Sequence, residues 1–150
     1  MQSGMHPVHR SVRPATVRPS APVPVVPPSV LVIDDDDMVR RAIVRGLRRN
    51  YAIVDVCDAE TALALIANGR RFDAILCDLN LNGMSGRDFF LHLDATNQDQ
   101  ARRVVILSGN PRAMDDARFG ALPPRFIEKP ASMALLEATL DELARMAHAA

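Results

Sequence analysis

The sequence predicts a doubly wound α/β fold built on a five-stranded parallel sheet. Short, continuously apolar runs alternate five times with amphipathic segments from Val30 onward. The runs lack the apolar–polar alternation of a half-exposed strand, so each needs cover on both faces, which helices supply in a parallel sheet. Acidic, hydroxyl and ammonium side chains follow several runs at their carboxyl ends, where open α/β sheets place their chemistry.

The elements follow in order. Residues 30–34 read as the first strand, apolar until it ends in acid. Residues 37–50 read as a helix, with Val39, Ala42, Ile43, Gly46 and Leu47 at helical spacing and Asp37 as N-cap. Residues 52–57 form a second strand, and Asp58 can cap a helix over 59–68 that Gly69 ends. Residues 72–77 form a third, fully apolar strand ending at Asp78. Residues 80–86 are a loop with two glycines, and Ser85 can cap a third helix through Leu93. Residues 104–107 are the fourth strand, followed by Ser108 and Gly109. Pro111 opens a short fourth helix to about Phe119, residues 125–129 form the fifth strand, and residues 132–147 are a final amphipathic helix.

Length and composition bound the rest. A chain of 150 residues suits one domain, and 48% apolar residues suffice for a sizeable core. Aromatics are 4%, so that core is aliphatic. Residues 1–28 hold seven of the eleven prolines, with Arg10, Arg13 and Arg18 and no acid, and read as an extended, disordered arm before a domain over 29–150. The formal net charge is zero, which gives no argument for nucleic acid or an anionic membrane. Two cysteines, Cys57 and Cys77, are too few for a disulfide framework, and no apolar run approaches the roughly 20 residues of a spanning helix. The expectation is a cytoplasmic protein with reduced thiols. Of 18 cationic side chains only one is Lys, Lys129. Lys offers a compact point charge where Arg offers a broad fork, so its place invites a chemical reason.

That place is a strand end. The first strand delivers Asp34 and Asp35, the third Asp78, the fourth Ser108 and the fifth Lys129. In a parallel sheet these ends share one edge, so three carboxylates, a hydroxyl and an ammonium converge in one crevice. Close carboxylates repel unless a cation sits among them, and a hard divalent ion with oxygen ligands, Mg²⁺ above all, suits such a set. A carboxylate relieved of that repulsion can attack phosphorus, with Lys and Ser receiving the phosphoryl oxygens. Asp36 and Asp37 read as solvated or capping residues, Cys77 and Met84 as core, and His92 and His148 as surface residues. His6 and His9 lie in the arm.

The segments VLVIDDDDMVRRA, ILCDLNLNGMSG, VVILSG and FIEKP occur in this order at the strand ends. Together they resemble the response-regulator receiver family of two-component signalling, over residue 30 to about 143. The resemblance implies a flavodoxin-like strand order 2-1-3-4-5, which sets Cys57 and Cys77 two strand spacings apart, about 9–10 Å, too far for a disulfide. It implies Asp78 as phosphoacceptor, and Mg²⁺ held by Asp34, Asp35, Asp78 and the Asn80 backbone carbonyl. Ser108 and Lys129 then contact the phosphoryl group, Phe126 is the switch aromatic, Asn80 and Asn110 tune acyl-phosphate lifetime, and the Lys129–Pro130 bond is cis. A histidine kinase or phosphotransfer protein docks over Met38, Val39, Ala42, Pro130 and Ala131. The face of the fourth helix, fifth strand and fifth helix reads out the switch, including by homodimerisation. Nothing follows the last helix, so the expectation is a regulator without an attached output domain, catalysing only its own phosphorylation and dephosphorylation. The family commonly has Pro four residues after the acceptor; Asn82 stands there, implying a less rigid loop.

Two rival readings differ in class. A haloacid-dehalogenase-type phosphatase would use Asp34 as nucleophile with Asp36, Ser108, Lys129 and the pair Asp115–Asp116, but leaves Asp78 without a role. A receiver-like module that is never phosphorylated would need no intact acceptor, metal, hydroxyl and Lys positions, and all are present.

Overall fold

A computed structural model describes residues 25–115 and 117–149, with residues 4 and 22. The disordered arm expected over 1–28 falls almost wholly outside the described residues. Five strands, β1 (Ser29–Ile33), β2 (Ala52–Val56), β3 (Ala74–Asp78), β4 (Val104–Ser108) and β5 (Arg125–Glu128), pair in parallel in the order β2-β1-β3-β4-β5. The helices are α1 (Asp37–Leu47), α2 (Ala59–Ala67), α3 (Gly86–Thr96), a short α4 (Gln98–Ala101) and α5 (Met133–His148). This is the doubly wound order that the family resemblance implies.

Successive strand residues face opposite sides of a sheet, and the core divides accordingly. Leu31, Ile33, Ile75, Cys77, Val104 and Ile106 pack under α2 and α3 with Ala62, Ile66, Phe89 and Leu93. Val30, Val32, Leu76, Val105, Leu107 and Ile127 pack under α1 and α5 with Ile43, Leu47, Leu136, Leu140 and Leu143. Each such aliphatic side chain contributes about 1.5–3 kcal/mol on burial. The inner strands β1, β3 and β4 are buried almost throughout, while β2 and β5 lie at the edges and are partly exposed.

Several boundaries differ from expectation, each for a local reason. The N-cap of α1 is Asp36, not Asp37: the Asp36 carboxylate accepts from Met38 N at 2.9 Å and Val39 N at 3.2 Å. Asp37 is the first helical residue and pairs with Arg40 at 2.5 Å. The helix ends at Leu47, and residues 48–50 form a turn in which Asn50 N and Tyr51 N both donate to the Leu47 carbonyl, at 3.1 and 3.2 Å, before β2 begins at Ala52. β3 begins at Ala74 rather than Phe72. The Phe72 amide is held instead by the fully buried Gln100, whose Oε1 accepts from Phe72 N at 3.0 Å and whose Nε2 donates to Phe72 O at 3.2 Å. The expected fourth helix is two 3₁₀ turns, Pro111–Asp115 and Ala117–Phe119.

The register brings the strand ends level. Ile33 pairs with Cys77, Asp78 with Leu107, and Ser108 with Glu128. Asp34 and Lys129, one residue beyond their strands, therefore emerge at the edge that carries Asp78 and Ser108.

Candidate functional site

Three carboxylates meet at this edge: Asp34, Asp35 and Asp78 each offer an oxygen, all within 4.8 Å of one another. Asp34 is 1% exposed and Asp78 8% exposed, so their charges are largely out of water. Lys129 answers them. Its Nζ lies 3.2 Å from Asp78 Oδ1 and 3.5 Å from Asp34 Oδ2. One ammonium thus faces three carboxylates, and the pocket keeps an excess of negative charge.

The backbone finishes the arrangement. Asp36 N donates to Asp34 Oδ1 at 2.9 Å, Asn80 N to Asp78 Oδ1 at 3.3 Å, and Asn82 N to Asp35 Oδ2 at 3.0 Å. Burial pushes the Asp78 carboxyl above the usual carboxylate range; Lys129 opposes that rise, and the charge of Asp34 adds to it. Gly86 lies directly behind the site. A Cβ there would stand 2.3 Å from the Asp78 carbonyl oxygen, so only glycine lets α3 start so close to the end of β3.

The donor set is entirely oxygen, anionic and clustered, the chemistry of a hard divalent cation site. Lys129 alone leaves the three carboxylates undercompensated, so Asp34, Asp35 and Asp78 fit such an ion.

Ser108 is buried at the end of β4, but its hydroxyl accepts from Asn110 N at 3.0 Å and donates to Asn110 O at 3.3 Å. The Asn110 side chain accepts from Arg112 N at 3.0 Å, capping the first 3₁₀ turn. Phe126 packs edge-on against Phe119, with ring centroids 5.0 Å apart. The Lys129–Pro130 bond is cis. Val39, Ala42, Pro130 and Ala131 line one apolar cavity of about 450 Å³ with Met133 and Lys129. Met38, 82% exposed, lines a neighbouring cavity with Arg41, Arg45 and Arg48 instead. Cys57 is exposed, Cys77 is buried, both are free, and burial pushes the Cys77 thiol far up, out of nucleophilic range. Asp115 is exposed on the first 3₁₀ turn, and Asp116 lies outside the described residues.

Glu60 went unnoticed in the sequence, and Asn82 stood out there only for the proline it replaces. Asn82 stands where a rigidifying Pro is common, yet its N–H, which Pro lacks, ties the loop to Asp35. Glu60 of α2 accepts from Met84 N at 2.9 Å and holds the same loop from the other side. The only sequence signal was Asn82 itself, since any residue but Pro keeps its amide proton.

A flavodoxin-like sheet with an Asp-rich, Lys-bearing pocket at its carboxyl edge has the form of a receiver domain. The family description of the response regulator receiver domain matches residues 30–141, and the chain belongs to that family, the receivers of two-component signalling systems. The transcriptional activator protein PfeR of Pseudomonas aeruginosa is 31% identical over 79% of the chain and 38% of its own length. Response regulator MprA of Mycobacterium sp. is 30% identical over 80% of the chain and 52% of its own length. The chain therefore spans about half or less of these two relatives. Chemotaxis protein CheY-3 of Vibrio cholerae is 28% identical over 76% of the chain and 89% of its own length. Among solved structures, the receiver domain of Francisella response regulator 1452 superposes with a TM-score of 0.69 at 25% identity, covering 80% of this chain and 98% of that one.

Proposed function

We propose that the chain accepts a phosphoryl group on Asp78, with Mg²⁺ held by Asp34, Asp35, Asp78 and the Asn80 backbone carbonyl. The observation that supports this best is Lys129, whose ammonium lies within 3.5 Å of both Asp34 and Asp78 in a pocket that stays net negative. Bound there, Mg²⁺ supplies a hard positive charge that relieves carboxylate repulsion and draws charge from the transferring oxygens.

Asp78 needs no general base, because its nucleophilic oxygen is already ionised. That oxygen forms the new O–P bond as the P–N bond to a donor imidazole breaks; the departing nitrogen keeps the electron pair and takes a proton. Lys129 meets the arriving phosphoryl oxygens. The Ser108 hydroxyl gives up its bonds with Asn110 to donate to one of them, which draws in the 3₁₀ segment and, through Phe119, the ring of Phe126. New contacts available in one conformation only bias a two-state equilibrium toward it.

The donor is a histidine kinase or phosphotransfer protein. Its seat is the apolar cavity of Val39, Ala42, Pro130 and Ala131, which opens beside Lys129. The switched face comprises the 3₁₀ segment, β5 and α5, where Leu135 is 48% exposed, and its occupants include a second copy of the chain. The reading carries a cytoplasmic location and no catalysis beyond self-phosphorylation and its reversal. Among the described residues no helix is long and apolar enough to cross a membrane.

Acetyl phosphate with Mg²⁺, followed by intact mass measurement, tests the assignment. Wild type gains one phosphoryl group, and Asp78→Asn gains none. Labelling lost in Asp34→Asn while Asp78→Asn labels normally would transfer the role to Asp34, as a phosphatase requires. No labelling of wild type beside a competent control receiver would leave only an interaction module.

A further inference from the structure

The loop over residues 79–85 lies between two carboxylates from different elements. Asn82 N donates to Asp35 Oδ2 at 3.0 Å, from the end of β1, and Met84 N donates to Glu60 Oε1 at 2.9 Å, from the first turn of α2. Between them sits Gly83, with φ +75°, and a Cβ there would lie 2.9 Å from Glu60 Oε1. A side chain at 83 would be strained by the backbone angle and would push the Glu60 carboxylate off its amide. Leu81, 9% exposed, anchors the loop in the core from below. Each amide–carboxylate bond is charge-assisted, the stronger kind of hydrogen bond.

We propose that Glu60 is a positioning residue for the acidic pocket: by clamping Met84 N it holds the loop so that Asn82 N–H orients the Asp35 carboxylate and Asn80 stays beside Asp78. This rests on the reading of the pocket as a Mg²⁺ site and extends it. With Asn82 N engaging Oδ2, the Asp35 carboxylate is held in a fixed orientation beside Asp34 and Asp78. Without the clamp, the loop and Asp35 must be ordered when the ion binds, and that ordering lowers affinity. The clamp does here, with a carboxylate, what a proline would do through its ring.

Glu60→Ala and Glu60→Gln separate positioning from charge. Both remove the negative charge, but Gln keeps a carbonyl oxygen that accepts from Met84 N. Amide hydrogen exchange in metal-free protein reads the clamp directly. Asn82 and Met84 exchange faster in Glu60→Ala than in wild type, Glu60→Gln retains most of the protection, and amides of β1 and β3 are unchanged. Calorimetric titration with Mg²⁺ reads the consequence: the dissociation constant rises roughly three- to tenfold in Glu60→Ala, within the range of a lost hydrogen bond, and stays near wild type in Glu60→Gln. Equal affinity in wild type and Glu60→Ala would overturn the clamp and leave the receiver reading intact. So would equal weakening in both variants, which would mark a charge effect. A wild-type chain that takes up no Mg²⁺ would overturn both.

Discussion

Lys129 shows how much a single side chain decides. Its ammonium serves two carboxylates at 3.2 and 3.5 Å from a position only 28% exposed, and a guanidinium there would have to splay its fork across a point-charge site. Lys129→Arg is expected to fold but to couple phosphorylation to the switch less strongly than wild type; smaller phosphorylation-induced NMR shifts at Ser108 and Phe126 would show it, and wild-type shifts would refute it. Asp78 carries the opposite lesson. Burial raises its pKa in the folded state, so over the interval between the unfolded and folded values the native chain binds more protons than the unfolded one. Stability of the metal-free protein therefore falls as pH rises through that interval, and the ionised carboxylate is a liability above it. Asp78→Asn removes the liability. Its thermal midpoint is expected to exceed that of wild type at pH 7 and to converge on it as pH falls and Asp78 protonates.

Helix starts and loops fix the elements, and here the sequence was only partly legible. The apolar runs of β1, β3 and β4 announced their strands because both faces are covered, while the partly exposed edge strands β2 and β5, with Asp55, Arg125 and Glu128, were legible from their place in the alternation. Capping was legible in kind but not in register: four successive acids follow β1, and only geometry picks Asp36. Asp36→Ala is thus expected to lower stability by about 0.5–2 kcal/mol in urea unfolding. Asp37→Ala, which loses an exposed pair with Arg40, is expected to cost about 0–1 kcal/mol. The start of β3 was misjudged since Phe72 looks like a strand residue; nothing in sequence shows that Gln100, 28 positions away, takes its backbone bonds. The fourth helix was expected as one helix from Pro111 and is two 3₁₀ turns, the first opened by Asn110 Oδ1, which accepts from Arg112 N at 3.0 Å. Glu60 was invisible for the same reason as Gln100, because its partner lies 24 positions along the chain. Gly86 marks the tightest junction. Gly86→Ala is expected to cost about 2–3 kcal/mol, read as a lowered urea midpoint, because the new methyl has only the Asp78 backbone to displace.

The whole molecule is a two-layered core whose purpose is to hold one edge rigid. Both apolar layers converge on strands that end at the pocket, so residues 43 to 95 positions apart in sequence meet there. Those meetings were legible from topology alone, since parallel strands leave their carboxyl ends together. A ligand that binds only the folded form stabilises it by mass action, about 2.7 kcal/mol at a hundredfold excess over the dissociation constant. Mg²⁺ is accordingly expected to raise the melting temperature of wild type and not of a Asp35→Asn, Asp78→Asn double variant. The most direct test of a single divalent-ion pocket is paramagnetic: Mn²⁺ added at a small fraction of the protein concentration, with amide signals followed by NMR. The account predicts that the amides of Asp34, Asp35, Asp78, Asn80 and Lys129 broaden first and recover when excess Mg²⁺ displaces the probe. Broadening centred on surface acids such as Asp88, Asp99 and Glu142, with the strand-end amides untouched, would contradict it.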